Sequence, residues 1–265
     1  MFHLLQKKKL AEDTYLIEIE APEIARKAKP GQFIILRINE KGERIPLTIA
    51  DKSKKTITIV FLAVGKTTKI LASMKKGDSI NDVVGPLGNP TNIKEYGTVC
   101  LVAGGLGIAP IYLIAKALKE AKNHIITIIG AKSKKHLFWE EKLKGACDVL
   151  FIATDDGSKG KKGLVSDVLK QVMEEEKINL VMAIGPTIMM KVISDITRNK
   201  VKTIVSLNPI MIDGIGMCGC CRVTVNNKTK FACCDGPEFD GHKVEWDELI
   251  NRNNSYRGEE KKCQK

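Results

Sequence analysis

Residues 98–110 read TVCLVAGGLGIAP. The apolar run 98–103, closed by Gly104 and Gly105, is short enough for a buried strand, and apolar residues at helical spacing follow over 108–122. A glycine-rich turn between strand and helix lets backbone amides and the helix N-terminus approach a dinucleotide pyrophosphate. The match to G-x-G-x-x-G is incomplete: Gly105 and Gly107 are present, and Pro110 stands in the third glycine's place. A tight turn without any ligand explains the glycines as well, so the reading depends on what surrounds them.

Downstream the chain alternates regularly. Apolar strands are expected at 98–103, 124–129, 149–153, 180–184 and 202–207, with helices at 108–122, 164–176 and 187–199. This pattern predicts a five-stranded, parallel, doubly wound sheet. Asp155 follows the third strand and Gly185-Pro186 the fourth, both at carboxyl ends where open α/β sheets bind ligands. A carboxylate at Asp155 would accept from a ribose hydroxyl and repel a 2′-phosphate, which favours NAD over NADP. Loop acids also cap helices or sit in water, and Lys132, Lys134 and Lys135 pull toward the phosphate.

Upstream the punctuation is different. Strand-like segments at 14–20, 33–38, 56–62 and 79–84 are separated by turn pairs such as Pro30-Gly31, Lys41-Gly42 and Lys76-Gly77, which predicts a compact antiparallel barrel. The run Gly85-Pro86-Leu87-Gly88-Asn89-Pro90 marks its end. Arg44, in ERIPLTIAD, could bind a phosphate bidentately, and Thr48 could hydrogen-bond a planar ring. Gly65, Thr67 and Thr68 open a short helical pattern whose amides would favour a pyrophosphate. Each also has a plainer reading, as a solvated arginine or a helix cap.

The third signal is the stretch DGIGMCGCCRVTVNNKTKFACCD, residues 213–235, which holds five of the eight cysteines. From Asp213 its spacing is D-x4-C-x2-C-x11-C, through Cys218, Cys221 and Cys233. This is the plant-type spacing for a 2Fe-2S cluster with aspartate in place of the first thiolate. Gly214, Gly216 and Gly219 suit a backbone that wraps a cluster and turns amides toward its sulfurs. A structural zinc site from Cys218, Cys221, Cys233 and Cys234 is an alternative, and a disulfide is a weaker one. Cys220 and Cys234 lie off the spacing as spare or substitute thiols. Cys100 and Cys147 sit in apolar runs and are expected to be buried and inert, and Cys263 lies in a polar tail.

Composition bounds the remaining possibilities. A length of 265 residues suggests two domains, and no apolar run reaches the ~20 residues needed to span a bilayer. No signal peptide is read at the start, so a soluble chain in a reducing, cytoplasmic compartment is expected, with no membrane partner. The net charge of +12 comes mostly from scattered lysines. Aromatics are few and no recognition motif accompanies the charge, which argues against nucleic acid and for a solvated surface that could steer an acidic protein. No Ser-His-Asp set is found, no paired carboxylates stand out, and His3, His124, His136 and His242 are scattered.

Taken in order, a barrel bearing RIPLT, then GGLGIAP, Gly185-Pro186 and the cysteine stretch resemble the ferredoxin-NADP reductase superfamily. The ending MCGCCRVTVNNKTKFACCDGPEFDGHKVEWDEL is similar to small iron-sulfur flavoprotein subunits of the NADH-dependent ferredoxin:NADP oxidoreductase, or sulfide dehydrogenase beta, kind. The electron-transfer subunit of dihydroorotate dehydrogenase is the nearest alternative. The resemblance implies an α+β multidomain chain. Its parts would be an FAD-binding antiparallel β-barrel (1–94), an NAD-binding doubly wound α/β domain (95–207) and a 2Fe-2S segment (208–265).

It also implies FAD at Arg44, Pro46, Leu47, Thr48, Gly65, Thr67 and Thr68. NAD(H) would lie at Gly104, Gly105, Gly107, Pro110, Asp155, Gly185 and Pro186, and the cluster at Asp213, Cys218, Cys221 and Cys233. Such a chain would pass electrons between NAD(H), FAD and the cluster. A larger catalytic oxidoreductase subunit would be its partner, with ferredoxin a second candidate. The flavin motif departs from R-x-Y-[ST]: Ile45 takes the arginine position, Arg44 stands one residue earlier and Leu47 replaces the tyrosine. Aspartate at 213, where the dihydroorotate dehydrogenase subunit has cysteine, favours the sulfide dehydrogenase-like branch. From another class, a zinc-stabilised nucleotide-binding regulator would be free of flavin.

Overall fold

The computed structural model describes residues 1–255; Cys263 lies outside them. Two compact units are formed: residues 1–90 with 208–237 and the chain from Glu245, and residues 91–207 with 238–244. No helix among the described residues is long and apolar enough to cross a membrane.

The first unit is built on β1 (Phe2–Ala11), β2 (Thr14–Glu20), α1 (Pro22–Lys27), β3 (Phe33–Arg37), β4 (Ile45–Lys52), β5 (Thr56–Leu62), α2 (Lys66–Ser73), β6 (Ser79–Ile80) and β7 (Asp82–Leu87). The sheet order is β6-β1-β2-β5-β4-β3-β7. Its two end strands are separated by Asn81 alone, so one continuous segment serves both edges and the sheet curls into a nearly closed barrel. Closure removes the exposed edges that would otherwise invite pairing with other chains. Bulges in β1, in the β3–β7 pair and in the β4–β5 pair supply the curvature.

Alternation sets which side faces in. On β2, Ile17 and Ile19 are fully buried while Glu18 and Glu20 stay partly exposed. With Leu4, Ile34, Leu36, Ile49, Ile57, Ile59 and Phe61 they form the barrel core. Helix α1 lacks a side-chain cap at its start, and its last carbonyls are met by Lys52, whose Nζ donates to Ala25 O at 3.1 Å and Ala28 O at 2.6 Å.

The second unit contains β8 (Thr98–Gly104), α3 (Ile108–Glu120), β9 (His124–Ala131), α4 (Glu140–Ala146), β10 (Val149–Thr154), β11 (Lys161–Lys162), α5 (Val165–Glu175), β12 (Leu180–Ile184), α6 (Thr187–Thr197) and β13 (Lys202–Ser206). Strands β10-β9-β8-β12-β13 are parallel neighbours in that order. The right-handed rule for such crossovers puts α3 and α4 on one face and α5 and α6 on the other, in keeping with the α3–α4 and α5–α6 contacts. Both faces are therefore covered, which is why β8 is buried almost throughout and does not alternate.

The cysteine segment begins in loop and then forms the hairpin β14 (Arg222–Val225) and β15 (Lys228–Phe231) in the first unit. Its two-residue turn, Asn226-Asn227, has both residues at positive φ, +52° and +57°, as this hairpin turn requires. The chain then enters the second unit as β16 (Glu238–Asp240), antiparallel to β13, and returns to the first as α7 (Trp246–Asn254), which packs on β14. The sheet of the second unit thus has seven strands, not the five expected. The additions are the two-residue β11 and a return strand contributed from beyond the cysteines.

Candidate functional site

In the barrel unit, ERIPLT runs into β4, a strand beyond the four segments expected there from the sequence. Thr48 pairs with Phe33, Leu47 with Ile34 and Pro46 with Ile35. Pro46 carries no amide proton, yet it sits at the second residue of the strand, where losing one ladder bond is tolerated. Pro46, Leu47 and Thr48 are half-buried, and no hydrogen bond among the described residues engages the Thr48 hydroxyl. Arg44 is exposed and makes no ion pair there, although its charge helps to hold the Asp82 carboxyl low, after the Arg37 hydrogen bond to it.

Helix α2 brings its first turn to the same corner. Thr68 Oγ1 accepts from Gly65 N at 3.0 Å and so caps the helix. Thr67 is 6 % exposed, and its hydroxyl donates to Glu43 Oε2 at 2.7 Å. Glu43, which the sequence reading passed over, therefore ties the loop before β4 to the start of α2. Adjacency to Arg44 was its only signal in the sequence.

The expected dinucleotide residues other than Asp155 converge at the carboxyl ends of β8 and β12. These strands are neighbours, although the chain leaves β8 toward β9 on the other side, so the sheet's topological switch point lies between them. A Cβ on Gly107 would lie 2.0 Å from Ile184 O, on Gly104 3.1 Å from Pro186 Cδ, and on Gly185 3.0 Å from Gly104 O. At Gly107 the obstacle is backbone and only glycine fits, whereas Gly104 and Gly185 are crowded first by the Met189 side chain. Gly105 differs: it has φ +56°, and a Cβ there would meet nothing within 4 Å. Its backbone faces open space at the head of α3, as an approaching phosphate needs. Pro110, in the first turn of α3, forgoes an amide that has no intrahelical partner.

The sequence reading also missed Met189, whose sulfur lies against Gly104 and whose methyl lies against Gly185; the pair Met189-Met190 after Gly185-Pro186 was its signal. Asp155 is exposed beyond β10, two strands from the switch point. Its amide donates to Ala131 O at 3.2 Å, and its carboxylate has no hydrogen bond among the described residues.

The cysteine loop folds onto the barrel unit. Gly214, Gly216 and Gly219 have φ of +75°, +84° and +67°. A Cβ on Gly214 would lie 2.6 Å from Ile35 Cγ1, and one on Gly216 2.8 Å from Cys234 Sγ. Cys221 and Cys233 are 2 % exposed with their sulfurs 3.2 Å apart, and Cys234 Sγ is 3.7 Å from Cys233 Sγ. Cys218 is exposed.

The Asp213 carboxylate receives Ile215 N at 2.9 Å and Cys218 N at 2.5 Å. Burial raises its pKa, and those amides outweigh burial and hold it below the usual carboxylate range. No three cysteine, histidine or acidic side chains among the described residues are closed into a metal-binding group. The donor chemistry nonetheless fits a metal cluster. Burial pushes the Cys233 thiol up and the neighbouring Cys221 adds to it, so this crowded pair ionises readily only beside a cation. Two thiolates on one tetrahedral metal stand ~3.7 Å apart, close to the spacing seen.

Away from the cysteine segment, two further cysteines are described and the histidines each lie beside a polar neighbour. Cys100 and Cys147 are buried, and burial pushes the Cys100 thiol up to about 12. His3 meets Ser79, His136 meets Ser133, His242 meets Thr197 and His124 lies near Asp148.

Residues 208–245 match the iron-sulfur cluster binding domain of dihydroorotate dehydrogenase B, and residues 101–195 match the oxidoreductase NAD-binding domain. An electron transfer subunit homolog of dihydroorotate dehydrogenase B (NAD(+)) from Thermotoga maritima is 52 % identical, over 97 % of this chain and 92 % of that protein. The electron transfer subunit of the same enzyme from Desulforamulus reducens is 35 % identical, over 90 % and 95 %. A solved structure of an NADH-dependent reduced ferredoxin-NADP oxidoreductase, studied for flavin-based electron bifurcation, superposes with TM-score 0.95 at 49 % identity, covering 99 % of this chain and 96 % of that one.

Proposed function

Because the chain belongs to the family of dihydroorotate dehydrogenase B electron transfer subunits and their homologues, we propose that it carries electrons between NAD(H), FAD and a 2Fe-2S cluster, and so to or from a larger catalytic oxidoreductase subunit. The observation that carries the reading is the D-x4-C-x2-C-x11-C segment, with Cys221 and Cys233 buried side by side at 3.2 Å. When bound, the nicotinamide supplies a hydride, the flavin converts two-electron into one-electron chemistry, and the cluster carries single electrons.

The chain's own residues bind and orient. Arg44 offers a guanidinium fork to the flavin phosphates, and Thr48 a free hydroxyl to the ring. Gly65, Thr67 and Thr68 present the start of α2. Gly104, Gly105, Gly107, Gly185 and Pro186 form a glycine-rich seat for the nicotinamide dinucleotide, with Pro110 setting the first turn of α3. Asp155 accepts from the adenosine ribose and repels a 2′-phosphate. Asp213, Cys218, Cys221 and Cys233 hold the cluster, and Cys220 and Cys234 are dispensable.

Within the family, the NADH-dependent ferredoxin:NADP oxidoreductase, or sulfide dehydrogenase, type is favoured over a dihydroorotate dehydrogenase. Aspartate at 213 supports it, together with the superposition on the oxidoreductase structure over 99 % of this chain at TM-score 0.95. The isolated chain is expected to oxidise NADH with an artificial electron acceptor and to leave sulfide and dihydroorotate untouched. Robust dihydroorotate oxidation would overturn the assignment. An acidic carrier such as ferredoxin suits the net charge of +12 as a further partner.

A further inference from the structure

The hydroxyl of Thr67 has one proton, and that proton is spent. It is donated to Glu43 Oε2 at 2.7 Å, from a side chain 6 % exposed. The proposed flavin site brings the FAD pyrophosphate to the amides of this same helical turn, beside Arg44 and Gly65, where its oxygens would also be acceptors for this hydroxyl. A single O–H cannot serve a carboxylate and a phosphate at once. Two anions that only accept hydrogen bonds also repel one another in contact, by an amount that the nearby cations reduce. The first turn of α2 contains no acid of its own, and Lys66 and Lys69 flank Thr67 and Thr68. Among the described residues, Glu43 is therefore the acid hydrogen-bonded to this turn. It arrives from another loop, immediately ahead of Arg44.

We propose that Glu43 is a built-in competitor for the flavin phosphates: its carboxylate holds Thr67 in the flavin-free chain and has to leave when the pyrophosphate arrives. The inference rests on the placement of FAD at Arg44 and Thr67 and adds a residue that opposes binding. Exchange of one anion for another keeps the Thr67 hydroxyl paired in both states, which avoids leaving a buried donor without a partner. It also makes flavin retention a balance that one side chain sets.

The test is flavin affinity, measured on full-length protein stripped of flavin and titrated with FAD or with riboflavin, following the quenching of flavin fluorescence. Glu43→Gln keeps the size and a weak acceptor for Thr67 but removes the charge. It is expected to tighten FAD about two- to fivefold, the range of an exposed charge pair. The gain should shrink as salt rises from low to physiological strength, and riboflavin, which lacks phosphate, should show no gain. Arg44→Ala is the control on the underlying site and should weaken FAD. If Arg44→Ala weakens FAD while Glu43→Gln leaves it unchanged or weaker, Glu43 is not a competitor and this inference fails alone. If neither variant moves FAD affinity, the flavin phosphates are not at this corner and both readings fall.

Discussion

Alanine at Gly107 would place a Cβ 2.0 Å from the carbonyl oxygen of Ile184 and 2.6 Å from its carbon. Both are backbone atoms at the end of β12, so no side chain can swing aside. Relief needs more than 1 Å of movement between the β8 turn and β12, at the junction that seats the dinucleotide. Overpacking of this kind costs about 1–3 kcal/mol where side chains can adjust, and against backbone we place it at the upper end, ~3 kcal/mol. Gly105→Ala is the matched control. Its Cβ would meet nothing within 4 Å, and the cost is confined to a left-handed backbone at φ +56°, about 1–2 kcal/mol. At roughly 2–4 °C per kcal/mol for a chain of this size, thermal unfolding should fall by ~6–12 °C for Gly107→Ala and by ~2–8 °C for Gly105→Ala. NADH affinity, by titration of the folded proteins, should drop in both. A Gly107→Ala protein as stable as wild type, or less perturbed than Gly105→Ala, would refute the close-packed turn.

Asp155→Ala should erode the preference for NADH. A carboxylate 4 Å from a 2′-phosphate is worth about 1–4 kcal/mol depending on the effective dielectric, and an unchanged ratio of kcat/KM for NADH and NADPH would remove Asp155 from the site. Asp213→Ala should make the cluster labile, Asp213→Cys should keep it with an altered spectrum and potential, and Cys220→Ser and Cys234→Ser should retain it. Full iron and sulfide content with an unchanged paramagnetic resonance spectrum in Asp213→Ala would leave Asp213 a turn residue and hand its place to Cys220 or Cys234.

Glu238 should make stability fall as pH rises. Burial pushes its carboxyl up to about 7, against the opposing hydrogen bond from Thr91 Oγ1. Below the ordinary value near 4.5 both folded and unfolded states are protonated; between there and 7 only the unfolded state ionises, so the folded state loses ground. The ceiling is about 3 kcal/mol. Glu238→Gln should therefore unfold a few degrees higher than wild type at pH 8 and alike at pH 4, and an equal difference at both pH values would contradict this.

Residues whose role is local were the legible ones. The apolar run before Gly104, the β-α alternation and the strands at 14–20 and 56–62 follow from periodicity alone, because burial on one or both faces dictates it. Two barrel strands were hidden by their composition. β1 carries Lys7, Lys8 and Lys9, three consecutive lysines that obscure its alternation, and β4 has Pro46 near its start. β16 was illegible for a different reason: it completes a parallel sheet from beyond the cysteines, and nothing in Glu238–Asp240 announces a partner as distant as β13. In the candidate sites, glycines and cysteines stood out because few other residues can replace them. Glu43 and Met189 did not, since their significance comes from what folding sets beside them, Thr67 in one case and Gly104 with Gly185 in the other.

The most direct test of an electron-transfer subunit is an anaerobic titration of the purified chain with NADH, followed by visible absorption and by paramagnetic resonance, alongside flavin, iron, sulfide and zinc analysis. The account predicts one FAD, two irons and two sulfides per chain, bleaching of both chromophores by NADH and a paramagnetic signal from a reduced 2Fe-2S cluster. A colourless protein containing zinc and no flavin, unresponsive to NADH, would contradict it.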